Sequence, residues 1–448
     1  MRKSALFLLG LVVTALVALG LVVLLSASQP FSRRVLDDRK GRIVQQLQND
    51  LRHCRLQLQR ATPEEAEARE AEINELERKI STLKSMPSSP FFFWKKQVVY
   101  CLVGVVIAVI VARFDYHLWR DWNLAKVLFL VELALLLACL CFPPVKGSRR
   151  WIPLGIADLQ PSEFAKMVVV IVVSVWMDKA GWRVELFRRG ALIPGLLIVA
   201  LVVPILVEPD LGSSAVVLIA GGVVMFLAGT RWRYLFSAIP IGLLAFALVV
   251  FALPNRRERL ASQYECLRFL STKPKIEQVA SDSSAAAKVD SQPYQKTQSR
   301  KAIQNGGIWG VGLYNSMQKE LYLPENHTDF VFAIGAEELG VPLSAGVCLL
   351  FFAFLGLSVC IARKSEDRLG RFIATGMGFI VTFQAFFNLG VVCGCMPTKG
   401  MALPFFSYGG TNMISTFIAV GTIFSVGIHS GQDKKRQLAA KVVMRSVR

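Results

Sequence analysis

Cys393 and Cys395 stand without a second pair of ligands, which excludes a cysteine metal site. The stretch Gly306-Gly307-Ile308-Trp309-Gly310-Val311-Gly312 lacks the spacing and helical context of a dinucleotide or Walker loop, so no nucleotide is implied. No tandem repeat of about 20 to 50 residues recurs, which excludes a solenoid. The longest apolar runs are nearly devoid of polar groups in their middles, where Glu132 and Gln384 are among the few exceptions. A substrate conduit through the membrane would need polar groups along its length.

What the chain does have is apolar sequence. Of 448 residues 53% are hydrophobic, and the mean hydropathy is +0.47. A single soluble core stops growing well below this size, so the chain is read as an integral membrane protein. Windows of bilayer-spanning length fall near residues 5–26, 97–113, 124–142, 161–176, 191–207, 212–229, 235–253, 339–362, 372–393 and 412–429. The expected fold is all-α and polytopic, with about ten transmembrane helices. The segmentation is a first span at 1–26, a helical hairpin insertion at 27–96, six spans within 97–253, a large loop at 254–328, three spans within 329–430 and a basic tail at 431–448. The first window follows Met1-Arg2-Lys3 and ends at Ser26-Ala27-Ser28, so a cleaved signal peptide stands beside the anchor reading.

Arg113 to Arg120, Lys179 to Arg189, Arg231, Arg233, Arg363 to Arg371 and the tail from Lys434 fall on one side if the N-terminus is cytoplasmic. Short cytoplasmic loops are enriched in Lys and Arg, so both termini are expected inside. The net charge of +19 then faces anionic headgroups, and nucleic acid is not an expected partner. Cys101, Cys139, Cys141, Cys348, Cys360 and Cys393 lie in spans and read as small packing residues. Cys54 and Cys266 both lie outside the membrane, and a disulfide between them stays open.

Two outer segments exceed the usual loop length. In residues 33–85, Ile43, Leu47 and Leu51, then Ile73, Leu76, Ile80 and Leu83, recur at helical spacing. Thr62-Pro63-Glu64-Glu65 between them has the form of a helix start. This hairpin is either a docking surface for a partner or a decoration packed on itself. The other segment, from Pro254 to Asn326, carries Arg256, Arg257 and Arg259 before a polar insert around Ser281 to Lys288.

Polar clusters gather at the outer ends of spans: Arg149-Arg150-Trp151, Glu163 with Lys166, Glu208-Pro209-Asp210, His327-Thr328-Asp329, Lys399, and Ser407. Each has an ordinary reading. Arg149, Arg150 and Trp151 suit an interfacial anchor. Glu163 and Lys166 suit an i,i+3 ion pair, Glu208, Asp210 and Asp329 suit helix caps, and His327 suits an orienting group. Taken together, they place cations suited to phosphate around carboxylates suited to proton abstraction, on one face of a membrane. That pairing points to group transfer from a lipid diphosphate.

Leu159-Gln160-Pro161-Ser162-Glu163-Phe164-Ala165-Lys166, Glu208-Pro209-Asp210-Leu211-Gly212, Leu323-Pro324-Glu325-Asn326-His327-Thr328-Asp329-Phe330 with Glu337-Glu338-Leu339-Gly340, and Leu403-Pro404-Phe405-Phe406-Ser407-Tyr408-Gly409-Gly410 resemble, in order, the blocks of the SEDS family (shape, elongation, division and sporulation). The resemblance runs from the first span to Ser430, and Asn315-Ser316-Met317-Gln318-Lys319 with Pro397-Thr398-Lys399-Gly400 tilts it towards the division branch over the elongation branch. The long first outer loop, the extra sequence near residues 265–292, and Thr411-Asn412 in place of Ser-Ser depart from the family pattern.

The resemblance implies a peptidoglycan glycosyltransferase that polymerises lipid II at the outer face of the bacterial cytoplasmic membrane. It implies Asp329 as the base, with Arg149, Arg150 and Lys399 on the diphosphate, then Arg256, Arg257 and Arg259. Glu163, Lys166, Glu208, Asp210, His327 and Ser407 would support the polar cavity. A divalent cation, magnesium or manganese, is expected beside the diphosphate, with no motif fixing its ligands. Expected partners are lipid II, a class B penicillin-binding protein and other division or elongation proteins. A lipid II flippase and a non-catalytic division scaffold remain the alternative functions.

Overall fold

The computed structural model describes residues 2–58, 73–74, 76–77, 80, 91–143, 149–153, 158–208, 210–236, 291–319, 328–396 and 401–430. The chain is a bundle of long helices: α1 (Arg2–Leu58), α2 (Phe92–Arg113), α3 (Trp122–Cys139), α4 (Pro161–Ala180), α5 (Ile193–Val207), α6 (Leu211–Leu227), α7 (Ser291–Gly306), α8 (Val331–Arg363), α9 (Arg368–Val392) and α10 (Gly410–His429). One short antiparallel ribbon, β1 (Ile152–Pro153) with β2 (Asp158–Leu159), precedes α4.

Among the described residues seven helical segments are long and apolar enough to cross a membrane: Lys3–Pro30, Phe92–Arg113, Trp122–Cys139, Arg188–Val207, Val331–Arg363, Arg368–Val392 and Gly410–His429. The chain is thus a multi-pass membrane protein. The other three expected spans fare differently. Helix α6 covers 212–227 of the window 212–229 and is apolar but short, and the window 235–253 lies almost wholly outside the described residues. Helix α4 carries Glu163, Lys166, Asp178 and Lys179, too many charges for a lipid-facing span, and it is buried along nearly its whole length. It packs against α3, α5, α6, α9 and α10, which makes it the central helix around which the others stand.

The first helix departs from its expected boundary. No break follows residue 26; α1 continues through Pro30 to Leu58, so the outgoing arm of the hairpin is an extension of the first span. The returning arm touches it where Arg55 Nη2 donates to Glu77 Oε1 at 2.6 Å. Thr62 to Glu65 and Cys266 lie outside the described residues. The membrane part of α1 belongs to the core: Leu9, Leu16 and Leu24 are fully buried, and α1 packs on α8. A side chain at Gly20 would collide with the main chain at Phe405, so only glycine admits this approach.

Helix α8 begins earlier than the expected span and is broken at Gly340, whose φ of +65° suits glycine. Chain from the outer segment fills the break. Val311 N and Gly312 N donate to the carbonyls of Glu337 and Glu338 at 3.0 Å, and Val341 N donates to Ile308 O at 3.0 Å.

The basic loops meet at one end of the bundle. Asp367, the N-cap of α9, accepts from Tyr116 Oη at 2.5 Å, Ser365 Oγ at 2.8 Å and Gly370 N at 3.1 Å, while Arg120 Nη2 lies 3.6 Å away. Burial raises its carboxyl, but those bonds and the charge of His117 outweigh burial and hold it below the ordinary range. Because the folded value is depressed, its contribution is present above the unfolded value near 4 and is lost as pH falls through the folded one. Asp367→Asn is expected to lower stability by about 1–3 kcal/mol, read as a lower unfolding midpoint at neutral pH. The gap to wild type should close in acid.

Candidate functional site

The opposite end of the bundle holds the polar clusters. Pro161 at the first turn of α4 presets its backbone, and Glu163 and Lys166 follow one turn apart on a face turned inward. Lys166 Nζ sits 2.8 Å from Glu163 Oε1 and donates to Gln384 Oε1 of α9 at 2.6 Å. Ser415 Oγ of α10 donates to Glu163 Oε2 at 3.3 Å. The lysine is 2% exposed and the glutamate 6%, so this is the expected ion pair, buried and tied to three helices.

Gln384 carries the network outward. Its Nε2 donates to Ala402 O at 2.9 Å and to Asn412 Oδ1 at 3.1 Å. One turn along α9, Asn388 Nδ2 donates to Asp329 O at 2.9 Å and to Met401 O at 2.6 Å. Asn388 therefore joins the start of α8 to the segment before α10. Asp329 is half-buried and precedes Phe330, the N-cap of α8, where no side chain caps the helix.

A second polar group adjoins Met401, whose side chain lies against Gly212. Asp210 caps α6, accepting from Ser213 N at 3.1 Å and Ser213 Oγ at 2.9 Å. Arg150 Nη1 stands 3.8 Å from Asp210 Oδ2, and its Nε donates to Glu208 O at 3.3 Å. Glu208 is fully buried. Burial pushes its carboxyl up to about 8, with Asp210 adding to the push and Arg150 opposing it. Arg149 turns away, donating to Leu140 O at 2.9 Å, where a cation suits the carbonyls at the end of α3.

Ser407 acts within its own turn: its Oγ accepts from Leu403 N at 2.7 Å. Gln97 of α2 brackets the turn, donating to Ser407 O at 3.0 Å and accepting from Gly409 N at 3.2 Å. Thr411 Oγ1 donates to Asp158 O at 2.8 Å and accepts from Gln160 N at 3.3 Å, locking the ribbon to α10. The unusual Thr411-Asn412 pair thus supplies hydrogen bonds around the site.

The structure brings together Arg150, Glu163, Lys166, Glu208, Asp210, the main chain of Asp329, and the Ser407 turn. It does not place His327, Lys399, Arg256, Arg257 or Arg259, which lie outside the described residues. The sequence reading passed over Asn388 and Gln97, and treated Glu337 and Glu338 only as motif letters. Glu338 Oε1 accepts from Ser26 Oγ at 2.6 Å and Lys319 Nζ at 3.1 Å; Glu337 accepts from Ser316, Asn305 and Gln318 N. These two acids fix the outer segment up to Lys319, ten residues before Asp329. Their signal was present as paired carboxylates inside an apolar run, which are costly unless partnered.

The model of the FtsW/RodA/SpoVE family, described as cell cycle protein, matches residues 78–432. A protein from Coxiella burnetii named probable peptidoglycan glycosyltransferase FtsW is 35% identical over 346 residues, which is 75% of this chain and 87% of that protein. Among solved structures, a chain of a peptidoglycan synthase complex that coordinates polymerization and crosslinking superposes with a TM-score of 0.60. It is 26% identical, and the match covers 76% of this chain and 90% of that one. The rod shape determining protein RodA of Thermus thermophilus, 23% identical, shares the fold with a TM-score of 0.58 over 94% of this chain and 96% of its own.

Proposed function

The chain belongs to the FtsW/RodA/SpoVE family of cell cycle proteins, and on that premise we propose that it is a peptidoglycan glycosyltransferase of the division type, polymerising lipid II into β-1,4 glycan strands. The observation that carries this reading is the convergence of Arg150, Asp210, the Glu163–Lys166 pair and Asp329 at one end of the bundle, linked through Met401 and Asn388. The opposite end gathers Arg120, Arg231 and Arg368 in short loops. Positive loops lie inside, so the site faces outward from the cytoplasmic membrane, where lipid II supplies its own activation. We retain the ten-span topology with both termini inside.

In this mechanism Asp329 takes the proton from the 4-hydroxyl of the acceptor N-acetylglucosamine as that oxygen attacks the anomeric carbon of the lipid-linked donor. The bond to the diphosphate breaks, and undecaprenyl pyrophosphate departs with the bonding electrons. One displacement inverts the α-linked donor to a β bond, so a single base suffices and no covalent intermediate is needed. Arg150 is the described cation best seated for the diphosphate; Arg149 is turned to the end of α3, and Lys399 is retained as a diphosphate ligand from the sequence alone. Asn388 and the Glu163–Lys166–Gln384 chain hold the walls. Among the described residues no group of three or more His, Cys, Asp or Glu side chains gathers; a magnesium or manganese ion, held by one or two carboxylates and the substrate itself, would neutralise charge on the departing diphosphate.

A flippase needs polar groups along the whole crossing. Here Lys166 lies five residues inside the start of α4 and Glu132 seven residues before the end of α3, about 10 Å deep at 1.5 Å per residue. Beyond that depth the helices carry no charged side chain among the described residues until the opposite end of the bundle, where Asp178 and Lys179 close α4, which favours chemistry at one face. The relative in the synthase complex supports a crosslinking penicillin-binding partner for this chain.

Purified protein incubated with lipid II, alone and with its cognate class B penicillin-binding protein, is expected to yield glycan strands. Relocation of lipid II across vesicles without strands would replace this reading with the flippase, and neither outcome would leave the scaffold. Arg150→Gln is expected to raise KM for lipid II at least about tenfold, the loss of about 1.4 kcal/mol or more of charge-assisted binding.

A further inference from the structure

Glu208 is the anomaly at this end of the bundle. It is fully buried, and neither carboxyl oxygen has a hydrogen-bond partner among the described residues. Glu132, 3% exposed on α3, has its Oε1 in the same condition, and the charge of Glu208 reaches it. Buried polar groups are nearly always satisfied, and a bare buried carboxylate takes up a proton before it pays the full desolvation cost. Two such groups close together do not both ionise.

The groups around Glu208 define what its charge would do. Helix α3 brings Glu132 and Cys139, Asp210 caps α6 two residues on, and Arg150 comes from the segment just before β1. Asp210 is committed to Ser213 and to Arg150 at 3.8 Å. Arg150 touches the main-chain carbonyl of Glu208 through Nε, so its guanidinium sits between two carboxylate-bearing residues and the outer rim.

We propose that Glu208 carries its proton in the working enzyme, with Glu132 beside it as a second carboxyl that forbids double ionisation, and that a neutral Glu208 lets Arg150 turn its guanidinium to the lipid diphosphate. Glu208 is then a positioning residue acting through Arg150. When the O–H ionises, its proton leaves to solvent and the new carboxylate draws Arg150 inward beside Asp210, so lipid II is held less tightly. Burial places this change near pH 8, with Asp210 raising and Arg150 lowering it. The sign for folding follows. The folded carboxyl lies above its unfolded value, so its contribution is complete below about 4.5 and is lost as pH rises to about 8.

The inference rests on Arg150 as the diphosphate ligand, and the test separates the two. KM for lipid II is measured from about pH 6.5 to about 9.5 in wild type, Glu208→Gln and Arg150→Gln, with infrared difference spectra of the same proteins. Wild type is expected to show KM rising about tenfold on passing from pH 7 to above 8, the size of one guanidinium–phosphate contact. It should also show a protonated carboxyl C=O band that bleaches over the same range. In Glu208→Gln the ratio of alkaline to neutral KM should fall towards one and that band should lose the Glu208 share, leaving only that of Glu132. A band of undiminished amplitude in Glu208→Gln overturns the proton; an unchanged KM ratio in that variant overturns the link to Arg150. If Arg150→Gln leaves the neutral KM unmoved, the diphosphate role fails while the infrared result stands. Should Glu208→Gln not fold, Glu132→Gln serves: it removes the second carboxyl and its repulsion, so the bleaching must move to lower pH, and a bleaching that moves to higher pH overturns the coupling.

Discussion

Asp329→Asn is expected to lower lipid II polymerisation by about 10²–10⁴-fold, the usual worth of a positioned general base, and to leave the unfolding midpoint nearly unchanged. The amide has the shape of the carboxylate but cannot take the acceptor proton. The main-chain carbonyl of Asp329, which receives the Asn388 bond, is retained. The half-buried position adds little packing to α8, whose N-cap is the next residue. A radiolabelled lipid II assay resolving strand length, run beside thermal unfolding in the same detergent, checks both halves. Strands made at the wild-type rate would remove Asp329 from the mechanism, and a collapsed melting curve would make the loss uninformative. Asn388→Ala is expected to give a smaller version of the same defect, because it releases Asp329 O and Met401 O together.

The second large effect concerns stability. Lys166→Met should destabilise the bundle by about 3–5 kcal/mol, since it leaves Glu163, 6% exposed, without its cation. Gln384 loses its donor in the same step and drags on Asn412 and Ala402. Adding Glu163→Gln should restore much of that stability, because two neutral side chains can replace a buried pair at little cost. Activity should stay low in the double variant if the pair also shapes the cavity. The measurement is a double-mutant cycle on the unfolding midpoint; a double variant whose loss equals the sum of the two single losses would show the pair to be uncoupled.

Much of this architecture was legible in the chain because membrane physics leaves few options. Long apolar runs had to be helices, and the loop charges had to choose a side. The Glu163–Lys166 pair and the Asp210 cap were readable from spacing alone, since i,i+3 neighbours and helix starts are local. Helix α4 as the buried centre was less legible. Its charges lower its apolarity, and only the packing of five neighbours shows that it never meets lipid. The role of Asn388 was hidden for a related reason: an amide in an apolar helix shows that a partner exists, but its partners here are main-chain carbonyls 59 and 13 residues away. The unbroken α1 was missed because a polar turn in composition, after Ser26, is not a break in the backbone.

That unbroken helix makes a mast. From Pro30 to Leu58 it extends about 40 Å past the membrane part at 1.5 Å per residue. Proline has no N–H to give to the carbonyl four residues back, which is Ser26. The weak joint in the mast therefore coincides with its mooring, where Ser26 meets Glu338 and Lys319. A sideways load at the tip would bend the helix at that joint and pull on Glu338, the acid that also holds Lys319, so motion of the first helix outside the membrane is coupled to the start of α8.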